Sequence, residues 1–349
     1  MKQSTTMTQI IDIEANRQWD DIVRSFAEHD VYYLSGYVRA FQLHGDGRPT
    51  LLYYQADGLR AIYVFMKRET AMDGYYDCVT PYGYGGVLFE GNTDEEHLRA
   101  FRSDYLQAMN EAHIVDNFVR YHPVLANAVP MKSISTVIDL GQTIAMDLCS
   151  PEQIWENITS KNRNVIRKAE KNGVEIHHSH SWEELQQFIP IYNATMQKDH
   201  AEEYYYFGEA FYKSICQDLD GHFELFYATL DGKMIAASIM LFANRKMHYH
   251  LSGSLAEYRS LAPTNLLLYK AALWGHEQGY STLHLGGGVG SGEDNLYKFK
   301  AAFNRNSNYR FSIGKEIFNE AVYGQLVAIR QESDETFNPE SHYFPLYRS

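Results

Sequence analysis

The sequence predicts an α/β (α+β) protein built from two copies of one domain, each a mixed but mostly antiparallel sheet flanked by helices. Two observations carry this. The segments LLYYQADGLRAIYVF (51–65) and LFYATLDGKMIAASI (225–239) align without a gap, and each reads as strand, Asp-Gly turn, strand. Asp-Gly between β-rich runs is among the strongest short hairpin signals. The two turns lie almost half the chain length apart, which is far longer than a solenoid period and points to duplication. The second observation is that residues 246–303 read as strand, loop, helix, strand, glycine-rich loop, helix. A strand, a crossover helix and a strand imply a parallel step within the sheet.

Taken in order, residues 17–28 read as a helix. Strands are expected at 51–56 and 59–67, joined by Asp57-Gly58, and at 75–79, which runs into Thr80-Pro81-Tyr82-Gly83-Tyr84-Gly85-Gly86. Thr93 or Asp94 can cap a helix over about 94–110, with Glu95 and Glu96 well placed against the positive end of its dipole. Residues 113–121 read as a strand stopped by Pro123, and 136–140 as another. The start signal Ser150-Pro151-Glu152 opens a new unit, so the expected division is 1–145, 146–330 and a C-terminal tail, 331–349. In the second unit, strands are expected at 224–230, 233–242 and 246–253, the last following a tight Asn244-Arg245 turn. Met247, Tyr249 and Leu251 alternate there with His248, His250 and Ser252, the period of a strand. Pro263-Thr264 begins a helix whose face carries Leu267, Ala271 and Trp274, and Gly279 ends it. Residues 281–285 form a short strand leading into Gly286-Gly287-Gly288.

Composition narrows the function classes. A net charge of −13 excludes a general nucleic-acid binder such as a DNA-binding protein, while leaving room for a local basic patch. Cys78, Cys149 and Cys216 are widely spaced and lack a CxxC, which argues against a disulfide framework or zinc site and suits a reducing cytoplasm. The N-terminal residues lack the apolar core of a signal peptide, and no run approaches the ~20 apolar residues of a membrane helix. A cytoplasmic chain with at most peripheral membrane contact is expected. His177, His178 and His180 sit in a strand-like run read as lacking cysteine or carboxylate partners, and a polar strand edge is favoured over a ligand set, so no metal site is expected. GGGVGSG lacks the Lys-Ser/Thr of a phosphate loop.

One short helix is strongly basic: Lys161, Arg163, Arg167, Lys168 and Lys171 crowd into SKNRNVIRKAEKNG. A solvated face is one reading. A phosphate or carboxylate ligand is the other, since it would offset the mutual repulsion through charge-assisted hydrogen bonds. In 295–303, Leu296, Phe299 and Phe303 form one apolar stripe, which places Lys300 beside it with a packed stem and its ammonium directed towards the glycine-rich loop.

The run LHLGGG followed by LYKFKAAF resembles the C-terminal signature of the Fem family of acyl- and aminoacyl-transferases, and TPYGYGG resembles an element of the family's first domain. The matching residues are Gly286, Gly287, Gly288, Phe299, Lys300 and Phe303 near the C-terminus, and the 80–86 run upstream. The resemblance implies tandem GNAT-like domains and attack of an amine on an ester or thioester carbonyl where two strands part. It assigns Lys300 and Phe299 to catalysis, and it carries Arg163 and Arg167 to the nucleotide-linked substrate. His250, Glu293 and Asp294 are candidate bases. Tyr82, Tyr84, Tyr249, Arg259 and Gly286–Gly288 are candidate substrate contacts. Acyl-CoA users of the fold generally carry Q/R-x-x-G-x-G/A before the crossover helix, where backbone amides hold the pyrophosphate. This chain has Arg259-Ser260-Leu261-Ala262-Pro263-Thr264, which keeps the Arg but lacks the glycines and one amide. The expected activity is therefore transfer from aminoacyl-tRNA to an amine of a peptidoglycan precursor, with no tightly bound cofactor. An acyl-CoA-dependent N-acyltransferase acting on another amine is the alternative, and a degenerate, non-catalytic binding module is the third reading.

Overall fold

The structure, a computed structural model, describes residues 6–56 and 58–349. The chain runs β1 (Met7–Asp12), α1 (Asn16–Ser25), α2 (Ser35–His44), β2 (Arg48–Ala56), β3 (Leu59–Glu69), β4 (Tyr76–Val79), β5 (Leu88–Gly91), α3 (Glu95–Glu111), β6 (Ile114–Arg120), α4 (Ala128–Met131) and β7 (Val137–Asp147). It continues with α5 (Pro151–Asn157), α6 (Ser160–Lys171), β8 (Glu175–Ser179), α7 (Trp182–Lys198), α8 (Glu209–Asp218), β9 (Phe223–Leu230), β10 (Lys233–Ala243) and β11 (Lys246–Ser254). The last elements are α9 (Pro263–Glu277), β12 (Thr282–Gly286), α10 (Asn295–Ala301), β13 (Tyr309–Ile317) and α11 (Glu320–Ser333). No helix among the described residues is long and apolar enough to cross a membrane.

Two compact units result: Met1–Leu140 with Phe311–Ser349, and Gly141–Arg310. The sheet of the first unit has the order β1-β2-β3-β4-β6-β13, with β5 pairing β3; that of the second has the order β8-β9-β10-β11-β12-β7. Both are antiparallel except at one step, β4–β6 in the first and β11–β12 in the second. The two sheets thus share strand order and strand sense. The division expected at 145 and 330 is corrected, as is the tail. The sixth strand of the first sheet comes from the far end of the chain, because β13 pairs with β6 through Ile313–Arg120 to Ile317–Asp116. The strand that follows β6 in sequence, β7, pairs with β12 instead.

The hairpin turns have the backbone that their residues favour. Asp231 and Gly232 both take positive φ, 50° and 76°, as do Asn244 and Arg245, 44° and 64°. That handedness matches the twist of the flanking strands. Gly58 stands at φ 78°, while its partner in the expected turn, Asp57, lies outside the described residues. Asp94 caps α3 by accepting from the His97 N–H at 3.0 Å. The first core gathers Leu52, Tyr54, Tyr63, Phe65, Phe101 and Tyr105. The second gathers Ile166, Phe226, Met240, Met247, Leu267 and Phe303.

Residues 331–349 are part of the first unit rather than a tail. Tyr347 packs with Val115, Val322 and Leu326. Its hydroxyl meets Asp116 Oδ2 at 2.6 Å and Asp77 Oδ2 at 3.1 Å. Arg68 Nε donates to Asp77 Oδ1 at 2.6 Å, and Arg348 Nε donates to Asp77 as well. Both carboxyls are fully buried. A phenol has one proton, so it can donate to only one of them at a time. Burial, with Asp77 beside it, pushes the Asp116 carboxyl up to about 7 against the opposing pull of Tyr347, Arg68 and Arg348. The folded state therefore holds a proton that the unfolded state releases at lower pH. Stability from this group is fully present in acid and is lost as pH rises towards 7, by on the order of 4 kcal/mol at most. Thermal unfolding of wild type and Asp116→Asn across pH 5–8 should show the wild type losing stability relative to the variant. Parallel pH profiles would remove Asp116 as the titrating group.

Candidate active site

The site is built on the one parallel step of the second unit. β11 and β12 pair only through Lys246–Thr282, Met247–Leu283 and His248–His284. Past those pairs β12 is held by β7, where Gly286 faces Ile144. Ligands of such sheets sit beyond the carboxyl ends of parallel strands, and here those ends lead to His250 on one side and Gly286–Gly288 on the other.

The glycine-rich loop is tightly fitted. Gly286 has φ 79°. A Cβ on Gly288 would run into Asp294 Oδ1 and the Gly292 carbonyl, and one on Gly141 of β7 would strike the Ser291 carbonyl. Asp294 is spent on structure: it caps α10 by accepting from Tyr297 N at 2.8 Å, and it accepts from Val289 N at 3.3 Å. Those backbone N–H groups, Tyr297 first, hold its carboxyl below the usual range, with a further contribution from Lys300. At the other end of α10, Phe303 is fully buried and Phe299 meets it edge-on at 5.4 Å. Asn304 Nδ2 donates to the Ala145 carbonyl at 2.7 Å. The helix is pinned at both ends.

Lys300 lies between these anchors, 8% exposed, and its Nζ donates to the Gly287 carbonyl at 2.8 Å. Burial brings its ammonium down to about 8, with Asp294 opposing the shift. The expected apolar stripe needs correction at its start. Leu296 is 40% exposed, so the lysine is deeper than the leucine. A cation held dry on a fixed carbonyl is suited to meeting negative charge that grows on a reacting carbonyl oxygen.

The candidate bases are placed as follows. His250 is half-buried, and burial, reinforced by His248, takes its imidazole down to about 3, which makes it a poor proton acceptor. Glu293 is exposed on the loop. Asp294 is the helix cap. Two residues that the sequence reading passed over lie closer to the strand junction. His284 is buried, pairs across from His248 with ring centroids 5.7 Å apart, and shares a 2.8 Å hydrogen bond with Thr143 Oγ1. The signal was present as HYH in one strand and LHL in the next, but only the register aligns them.

Tyr249 is half-buried; burial raises its phenol, against hydrogen bonds from Ser252 and Ser238, whose hydroxyls are 2.8 Å apart. Arg259 is exposed in the short 3-10 segment before α9. Arg163 is half-buried and engaged with the backbone of its own unit. Its Nη1 donates to the carbonyls of Trp155 and Ile158 at 3.2 and 3.1 Å, closing the end of α5. Arg167 is exposed, with its guanidinium 5.0 Å from the Trp155 ring centroid. The histidine run on β8 also differs from expectation. His178 Nδ1 is 2.7 Å and His180 Nδ1 3.6 Å from Glu224, a residue 46 positions after His178, so the carboxylate partner is long-range.

Tyr82 and Tyr84 belong to the first unit. Tyr82 stacks on Phe41 at 5.7 Å, with the Arg120 guanidinium 5.8 Å from its ring. Tyr37 donates to its carbonyl. Tyr84 meets Tyr32 at 6.1 Å and Phe311 at 5.5 Å, and burial raises its phenol. Asn127 Nδ2 fixes the loop through the Gly85 and Val87 carbonyls at 2.8 and 3.2 Å. The glycines permit that packing, since a Cβ on Gly83 would press on Tyr32.

Residues 159–300, from the cap of α6 to Lys300, match the family model described as an acetyltransferase (GNAT) domain. A UDP-N-acetylmuramoylpentapeptide-lysine N(6)-alanyltransferase from Weissella viridescens is 28% identical over 176 residues, which is 48% of this chain and 50% of that protein. The chain carries a GNAT domain over those residues and resembles a Fem-type alanyltransferase. It spans about half the length of that curated relative in the matched region. The crystal structure of FemX superposes with a TM-score of 0.67 at 16% identity, covering 91% of this chain and 99% of that one. A tandem GNAT protein from the clavulanic acid biosynthesis pathway superposes at 0.51 and 11% identity, covering 91% and 100%. These likenesses establish the fold: mixed α/β sheets flanked by helices, with tandem GNAT folds among the structural neighbours.

Proposed function

We propose that this protein transfers an aminoacyl group from aminoacyl-tRNA to an amine of a peptidoglycan precursor. The observation that carries the reading is Lys300, a buried ammonium fixed on the glycine-rich loop where β11 and β12 part. The amine nitrogen bonds to the ester carbonyl carbon, the carbon–oxygen bond to the ribose breaks, and the proton released by the amine ends on the ribose hydroxyl. Lys300 stabilises the oxyanion formed between these steps. The likeness to the Weissella alanyltransferase, whose name states a lysine side chain of a UDP-linked muropeptide as acceptor, supports the acceptor class.

The start of α9 favours this donor over acyl-CoA. Pro263 has no N–H, and the Asn265 N–H is engaged with the Ala262 carbonyl at 3.1 Å. A pyrophosphate would find those donors missing. The acyl-CoA reading is retained because residues 159–300 match an acetyltransferase domain. The test is a transfer assay with a UDP-linked muropeptide and, in separate arms, charged tRNA and acetyl-CoA. Product with charged tRNA alone is expected; product with acetyl-CoA alone transfers the assignment to N-acylation by CoA.

A further inference from the structure

Eight exposed cations of the second unit form no ion pair among the described residues; besides Arg245 and Arg259, six of them belong to one region, Lys161, Arg167, Lys168 and Lys171 on α6, Lys298 on α10, and Arg305 just beyond it. All six are exposed. This is unusual in a chain whose acids outnumber its bases 44 to 31. Other lysines of the same unit do find partners, as in Lys213–Glu209, Lys233–Glu257 and Lys270–Glu170.

Hydrogen bonds hold the two helices that carry them against each other at one end. The end of α10 meets the start of α6, where Thr159 N and Asn162 Nδ2 donate to the Ala302 carbonyl at 3.0 and 3.4 Å. Arg305 N donates to the Asn157 carbonyl at 3.3 Å, and Asn306 Nδ2 to Asn157 Oδ1 at 2.9 Å. On α6 itself the cations share one face, because Ile166 and Ala169 take the opposite face into the core. The arrangement is locally costly. Arg167 and Lys171 are like charges four residues apart, and Lys161 lies in the first turn against the positive end of the helix dipole.

We propose that this face docks the phosphodiester backbone of the donor RNA, an inference that rests on the donor assigned above. The surface adjoins the helix that carries Lys300, so an RNA lying on it has its acylated end within the same unit as the reacting lysine. A row of exposed Lys and Arg without base-reading geometry suits sequence-independent contact with phosphates. An anionic membrane is the weaker fit. A helix lying in a bilayer interface presents an apolar face outward, whereas the apolar face of α6 is in the core and none of its large hydrophobic residues is exposed.

The test compares the full chain with Lys161→Gln/Lys168→Gln/Lys171→Gln, and with a control triple, Lys198→Gln/Lys213→Gln/Lys233→Gln, that removes the same charge elsewhere on the unit. Binding of deacylated tRNA is measured from about 50 to 200 mM salt. The first triple should bind at least about tenfold more weakly, with a salt slope shallower by about two to three, and the control should match wild type. Equal losses in both triples, or in neither, overturn the surface assignment and leave the donor reading standing. Loss of binding to phosphatidylglycerol vesicles with tRNA binding kept also overturns it. If the wild type binds no tRNA and takes acetyl-CoA, the donor reading fails first and the proposal with it.

Discussion

Lys300→Met is expected to lower kcat by two to three orders of magnitude and to leave the thermal midpoint at or above that of the wild type. Met keeps the buried stem and removes the charge. The rate loss follows from removing a preorganised donor at the developing oxyanion, which typically costs a hundred- to a thousandfold. The stability follows from the sign of the shift. Burial holds the ammonium at about 8, below its unfolded value. The folded chain therefore carries a cost at neutral pH, on the order of 3 kcal/mol, that disappears as pH rises from about 8 towards 10.5, where only the unfolded state still holds the proton. Removing the charge removes that cost, offset in part by the Gly287 carbonyl losing its donor. Wild-type activity should fall above about pH 8 as the ammonium is lost. Normal turnover by the Met variant with both donors would reduce Lys300 to a packing residue.

Asp77→Ala should give the largest loss of stability. Its buried carboxylate accepts from Arg68, Tyr347 and Arg348, which belong to β3 and to the C-terminal segment. Truncation takes the carboxylate partner from two guanidinium groups, while the Tyr347 phenol keeps Asp116. Breaking a buried pair on one side typically costs 3–5 kcal/mol. For a unit of this size that is a fall on the order of 10 °C in Tm. Residues 334–349 should also become accessible to protease, since Tyr347 and Arg348 lose their shared partner. A loss under about 1 kcal/mol, with the segment still protected, would show that the apolar packing of Tyr347 suffices without the ion pairs.

What could be read from sequence was local. The hairpins at Asp231-Gly232 and Asn244-Arg245 follow from residues that tolerate positive φ between β-rich runs. The start of α9 follows from Pro263, and the cap of α3 from Asp94. Lys300 was placed against the glycine-rich loop from its neighbours in α10, and its Nζ does donate to Gly287. Two candidate site residues have structural partners that the sequence reading did not give them. Arg163, which the resemblance carries to the substrate, has its guanidinium on the carbonyls at the end of α5. Asp294 looked like a base because acids in loops can be, yet it caps a helix.

The sequence by itself determined the period-2 strands and the Asp231-Gly232 turn, because each depends on residues within a few positions of one another, and the strand-helix-strand order of 246–285 carried the parallel step. Only the tertiary structure decided that β13 completes the first sheet and β7 the second, that Tyr347 and Arg348 close on Asp77, and that His248 faces His284. Strand pairing is satisfied by any neighbour with free N–H and C=O groups and a matching apolar face. Which neighbour that is depends on where the whole chain has carried it, and no local spacing encodes the answer.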